Sequence, residues 1–244
     1  MVRIGNFFFR TRNYLFPVFY VFLFLPFRRL SPDYMTVFYV GLAIALIGQL
    51  VRMLTIGMAY IVRGGRNRRI YAAGLVTDGL FSHCRNPMYV GNILLVVGMS
   101  ILSNSLFAVL VMIPLFLFIY QAITLAEENF LREKFGPGFD DYCSQVNRWL
   151  PKLKGIGATF RNNSFDLTKV IFKEYNSTFL WTFGATLLLA YNTYWFNENF
   201  SINEEGKCFL IAIAVLLTLY FVVRFLKKRR SRLNRLAKEK ESAK

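Results

Sequence analysis

The chain has 244 residues, 55% of them hydrophobic and 17% aromatic, with a positive mean hydropathy of +0.38. That balance excludes an ordinary soluble domain of this length. Lys and Arg number 30 against 14 Asp and Glu, a net charge of +16. The cations stand in blocks between apolar runs, so the partner they predict is a membrane surface, not nucleic acid.

Six apolar runs predict an all-α polytopic bundle of about six spans: residues 14–27, 36–56, 88–102, 106–125, 179–196 and 208–225. Residues 1–60 read as an N-terminal membrane hairpin. Phe7, Phe8 and Phe9, flanked by Arg3 and Arg10, predict an interfacial anchor. The first run is short for a full span, and no small-residue cleavage site marks it as a removable signal. Gly41 and Gly48 lie seven apart on one face of the second run, where small residues permit close helix packing. The basic stretch 63–71 reads as a loop with a turn at Gly64-Gly65.

Residues 61–152 form the core of the chain. The stretch 74–91, GLVTDGLFSHCRNPMYVG, is a glycine-punctuated polar loop that opens into an apolar helix. Asn86-Pro87 is a helix start: Asn is a preferred N-cap, and Pro suits the first helical position. The N–H groups and dipole of such a start attract an anion, yet Arg85 stands beside it and itself calls for an acid. Ser103-Asn104-Ser105 is a short polar turn, and the next run ends in Glu127-Glu128. At ~1.5 Å per residue the two runs cover roughly 25 and roughly 30 Å, close to the hydrocarbon thickness. A three-residue turn makes them antiparallel, so Arg85–Tyr89 and Glu127-Glu128 are expected to meet at one membrane face. A purely structural outcome is also open: Arg85 paired with the acids, and a Glu128–Arg132 bridge at i,i+4. Gly91 and Gly98 repeat the seven-residue spacing on the third run.

Residues 129–151 are amphipathic and too polar to span. They predict a segment that lies on the membrane surface or covers a pocket, broken at Gly136-Pro137-Gly138 and ended at Trp149-Leu150-Pro151. Residues 153–177 read as a cytoplasmic connector, 178–226 as a C-terminal membrane hairpin, and 227–244 as a basic tail. The cations at Arg63, Arg66, Arg68 and Arg69 and in the tail, against Glu198, Glu204 and Glu205 between the last two runs, put the N-terminus, the core loops and the tail in the cytoplasm; Arg28-Arg29 is the exception. Cys84, Cys143 and Cys208 show no paired spacing, and His83 is the single histidine, so neither a disulfide framework nor a metal site is expected. Of the glycosylation sequons, only that at Asn199 would face outside.

The stretch LVTDGLF…CRNPMYVG, followed about forty residues on by EENFLREKFGPGFDDYCSQVNRWLP, resembles the integral-membrane methyltransferases. That family includes isoprenylcysteine carboxyl methyltransferase and the phospholipid N-methyltransferases. The match covers roughly residues 70–152, with consistent spacing between its parts. The resemblance implies S-adenosyl-L-methionine as donor at the cytoplasmic face, and a lipid or isoprenoid-like acceptor entering from the bilayer. Gly74, Leu75 and Val76 would line the adenosine side, with Phe81 as the aromatic of the turn. Asn86, Pro87, Met88 and Tyr89 would hold the methionine part, and Glu127 a polar group of the donor. Glu128 and Arg85 would order the site and the acceptor's head as the catalytic pair. Asn86 stands where the family usually has His, so a histidine base is excluded there, and His83, three positions earlier, is not taken as its replacement, since position alone does not give proton-transfer geometry.

The reaction this implies is direct displacement at the sulfonium methyl, driven by orientation and exclusion of water. An anionic oxygen acceptor, carboxylate or phosphate, needs no base, and the missing histidine favours it. Amine N-methylation of a phospholipid is the alternative. An NADPH-dependent sterol or polyprenyl reductase shares part of the pattern but lacks its basic pocket here. A non-enzymatic lipid-binding protein is a third class.

Overall fold

The computed structural model describes residues 1–58, 63–66, 69–196 and 205–242. The acids Glu198 and Glu204, the sequon at Asn199 and Arg68 lie outside the described residues. The chain divides into two compact units, Met1–Asp166 and Leu167–Lys244. The division falls inside the 153–177 connector.

In the first unit α1 (Val2–Phe22) and α2 (Tyr34–Met58) precede a hairpin of β1 (Arg63–Arg66) and β2 (Arg69–Ala72). Gly64 and Gly65 therefore sit within a strand, opposite Tyr71 and Ile70, and not at a turn. Their small size leaves the bulk of each cross-strand pair to the partner. A 3₁₀ turn, Gly79–Ser82, then leads to α3 (Pro87–Leu102). A π-helical turn at Ala108–Met112 runs into α4 (Ile113–Phe135). Pro114 in the first turn of α4 cannot donate to the carbonyl four residues back, and the π turn absorbs that break. Two shorter helices, α5 (Pro137–Gln145) and α6 (Ile156–Asn162), complete the unit. Gly136 between α4 and α5 has φ +54°, a conformation that disfavours side chains, which is why the helix ends there. The second unit is the antiparallel pair α7 (Leu167–Phe196) and α8 (Glu205–Ser242), in which the rings of Tyr175 and Phe179 pack on Tyr220.

Among the described residues, three helical stretches are long and apolar enough to cross a membrane: Tyr34–Met58, Ala108–Phe135 and Gly206–Leu236. Pro87–Leu102 is apolar but shorter. The four glycines of the second and third runs meet each other. A Cβ on Gly41 would lie 2.7 Å from the Gly98 carbonyl oxygen, and one on Gly48 would lie 2.8 Å from that of Gly91. The backbones of α2 and α3 thus touch along an antiparallel seam that only glycine permits. Between α1 and α4 the same device recurs at Gly5, packed on Ala122 and Ala126.

The two ends of the α3–α4 hairpin are both tied to other elements. At the turn, Asn104 has φ +54° and its side chain brackets Ser31, accepting from its N–H at 3.1 Å and donating to its carbonyl at 3.0 Å. At the other end lies the cluster described next.

Candidate functional site

The start of α3 has the form its sequence dictates. Asn86 occupies the cap position with extended φ of −130°, and Pro87 takes the first helical position. The Asn86 side chain, however, does not cap. Its amide donates to the Arg148 carbonyl at 3.3 Å. The reason is that residues 147–152 are strapped along residues 83–86. Arg85 N–H donates to the Asn147 carbonyl at 2.9 Å, and Lys152 N–H to the His83 carbonyl at 3.0 Å.

His83 belongs to this strap. Its Nδ1 lies 2.5 Å from the Lys152 carbonyl and its Nε2 2.8 Å from Thr159 Oγ1. A carbonyl only accepts, so Nδ1 carries a proton, while Nε2 shares a hydrogen bond with the threonine hydroxyl. With both nitrogens engaged and the ring buried, His83 fastens the strap. Burial pushes the neighbouring Cys84 thiol above its ordinary range, opposed more weakly by a backbone hydrogen bond and the Arg85 charge.

The acids arrive from α4. The helix runs two turns past them to Phe135, so Glu127 and Glu128 are interior to it and not at its C-terminus as expected; Arg132 and Lys134 occupy the last turn instead. Both acids are buried, at 5% and 4% exposure. Tyr89 Oη donates to Glu127 Oε1 at 2.6 Å, which joins the mouth of α3 to the acid pair. Glu128 is gripped by Arg148 through Nε at 3.0 and 3.1 Å and Nη2 at 2.7 Å. This fork raises the affinity of Arg148 for its proton. Arg85 Nε lies 3.6 Å from Glu128 Oε1, an ion pair but too long for a hydrogen bond, and this buried nitrogen has no hydrogen-bond partner. The expected Glu128–Arg132 bridge is replaced by Arg132–Asp140 at 2.8 Å.

Two arginines thus face one carboxylate, and one of them keeps an unsatisfied N–H. Arg148 was not anticipated; its signal was a cation immediately before Trp149, in a strap whose opposing loop supplies no acid. Arg52 was also missed. It is a buried arginine in an otherwise apolar stretch of α2, packed over Gly91 and hydrogen-bonded to Asn92. A lone charge inside a span is itself the sign of a polar interior.

The other expected residues divide. Phe81 is buried, and its carbonyl accepts the Tyr142 hydroxyl at 2.7 Å. Leu75 packs on the cluster of Ala72, Leu131, Phe139, Tyr142 and Val146 that seats α5 on α4. Val76 and Met88 are half-buried, and Gly74 is exposed with open space where a Cβ would stand. Between α3 and α4 an apolar groove of about 420 Å³ is lined by Val90, Ile93, Leu94, Leu117, Gln121 and Trp149. Trp149 Nε1 donates to Gln121 Oε1 at 2.9 Å, placing the strap at one end of the groove. Among the described residues no three His, Cys, Asp or Glu side chains gather as a metal site would require.

Residues 38–138 match the family described as phospholipid methyltransferase. The nickel-cobalt-cadmium resistance protein NccN of Alcaligenes xylosoxydans xylosoxydans is 30% identical over 146 residues, 56% of this chain and 66% of that protein. A probable protein-S-isoprenylcysteine O-methyltransferase of Oryza sativa subsp. indica is 33% identical over 130 residues, 50% of this chain and 65% of that one. The protein-S-isoprenylcysteine O-methyltransferase of Schizosaccharomyces pombe is 32% identical over 96 residues, 39% of each chain. The chain thus spans two thirds or less of the length of the curated relatives it matches.

Proposed function

Residues 38–138 match the phospholipid methyltransferase family, and from that premise we propose that the protein is a membrane-embedded methyltransferase. It moves a methyl group from S-adenosyl-L-methionine to an anionic oxygen, carboxylate or phosphate, on the head of a lipid or isoprenoid-like acceptor. The observation that carries the reading is the buried cluster itself: Glu127 bound to Tyr89, and Arg85 left one N–H short beside the Glu128–Arg148 fork.

The chemistry of this set fits the donor. A buried carboxylate suits an ammonium or ribose hydroxyl, so Glu127 and Tyr89 would hold that side, with Asn86, Pro87 and Met88 at the helix mouth. Leu75, Val76 and Phe81, beside the α5 cover, would meet the adenosine; Gly74 would leave its approach open. When bound, the donor supplies an electrophilic methyl on a sulfonium. The chain's own part is to bind, orient and exclude water.

Arg85 is the group for the acceptor. Its free N–H suits an anion, and an acceptor already charged needs no base. Amine methylation would ask Glu128 to take a proton, but the Arg148 fork occupies both its oxygens. The groove of Val90, Ile93, Leu94 and Leu117 would admit the apolar chain from the bilayer. By the positive-inside pattern the N-terminus, this site and the tail lie in the cytoplasm.

The test is thermal shift of the purified full chain with S-adenosylhomocysteine against NADPH, followed by labelled donor with membranes. Stabilisation by the first alone, and label in an acid- or ester-linked lipid fraction, is the expected result. Stabilisation by NADPH alone, or label on an amine headgroup, would remove the reading or its acceptor.

A further inference from the structure

The motif of three phenylalanines between two arginines, which the methyl-transfer reading does not use, lies on a second cavity. A cleft of about 520 Å³ opens between the start of α1 and the last turns of α4, on the opposite flank of α4 from the apolar groove. Arg3, Asn6 and Arg10 line it from α1, and Asn129, Phe130 and Glu133 from α4. Residues 3, 6 and 10 share one helix face, and Arg3 and Arg10 stand about 10 Å apart along the axis at seven residues' rise. That spacing lets two long side chains converge on one tetrahedral anion.

The charges in the cleft do not cancel. Two arginines face one acid, and Glu133 Oε1 is turned to the Asn129 amide at 2.7 Å. No ion pair or hydrogen bond engages the Arg3 or Arg10 side chain among the described residues. Beside the cleft, Ile4 and Phe7 are exposed at 43% and 59%, an apolar surface that continues along the same helix at Tyr14 and Val18. A paired cationic seat next to an exposed apolar helix face matches one kind of molecule, a phosphate carried on an alkyl chain.

We propose that this cleft is a binding site for the phosphate of an anionic membrane lipid, separate from the methyl-transfer site. The phosphodiester accepts hydrogen bonds from Arg3, Asn6 and Arg10, and the acyl chains run along Ile4 and Phe7. Phe9 carries the contact inward, since it packs with Ile119 and Ile123 in the cluster that includes Tyr89. The site does not depend on what reaction Glu127 and Arg85 support.

The experiment is native mass spectrometry of the full chain released from nanodiscs holding equal parts dioleoylphosphatidylglycerol and dioleoylphosphatidylcholine. The wild-type chain is expected to retain the anionic lipid in preference. Arg3→Gln/Arg10→Gln should lower that preference about 30-fold, as the loss of two interfacial cations implies. Arg3→Lys/Arg10→Lys, which keeps the charge, should retain most of it, and decides the matter should the glutamine pair fail to fold. An equal loss in Lys154→Gln/Arg161→Gln, exposed cations away from the cleft, would overturn the site in favour of general surface attraction. An unchanged ratio in the glutamine pair would also overturn it. Stripping of the lipid adduct by sn-glycerol 3-phosphate would overturn the lipid and leave a soluble phosphate ester as occupant.

Discussion

The two ends of the α3–α4 hairpin are built from the same kinds of residue and do opposite things. At the turn, Asn104 spends its side chain on the backbone of Ser31, and its own carbonyl takes the Leu30 N–H at 3.0 Å. At the mouth, two partly buried arginines meet two buried acids and one buried guanidinium N–H is left over. A polar group whose partners are all close at hand holds the fold. A buried one left short costs free energy in the fold, and the proposed function assigns it a ligand.

The largest break in this comparison is Glu128→Ala. It leaves Arg85 and Arg148 facing each other without an acid, and should cost about 3 kcal/mol, at the lower end for a buried pair because Arg148 is partly exposed. Thermal unfolding in detergent measures it, and an unchanged midpoint would show the fork to be ornamental. Glu127→Ala comes next. It should weaken S-adenosylhomocysteine binding about 30-fold, the size of a charged hydrogen bond, as read by calorimetry; undiminished affinity would refute the role given to Glu127.

Asn104→Ala tests the other end. Alanine tolerates φ +54° less readily than asparagine and removes two side-chain hydrogen bonds, a loss of about 1.5 kcal/mol. Ligand affinity per folded molecule should not move. If it falls with stability, the ends are coupled and the contrast between them fails. The smallest effect concerns the strap. With its thiol pushed up by burial, Cys84 holds less thiolate at any pH than an ordinary cysteine. It should resist iodoacetamide at pH 8 while exposed Cys208 reacts. Peptide mapping distinguishes them, and equal labelling would mean that the strap opens readily.

Much of this was legible. Asn86-Pro87 set the start of α3, the short Ser103–Ser105 turn set the antiparallel return, and the two seven-residue glycine spacings set the faces. Which glycines would meet was not legible, because spacing gives a face and not its partner. Nor was the pairing of Glu128, which waited on a strap sixty residues after Arg85 in sequence. Asn86 misled because it is a local signal for a cap, and the strap claimed its side chain. Arg52 was in plain view as the one charge within its run, and needed only to be taken as a sign of a polar interior.

The glycine seam between α2 and α3 has a mechanical consequence. Where main chains already touch, no side chain stands between them to swing aside, so that pair behaves as a stiff rail. Breathing wide enough to let an alkyl tail pass sideways must then come from the other flank of α3, where leucine, isoleucine and tryptophan rotamers can yield. Stiffness on one flank thereby chooses the doorway on the other.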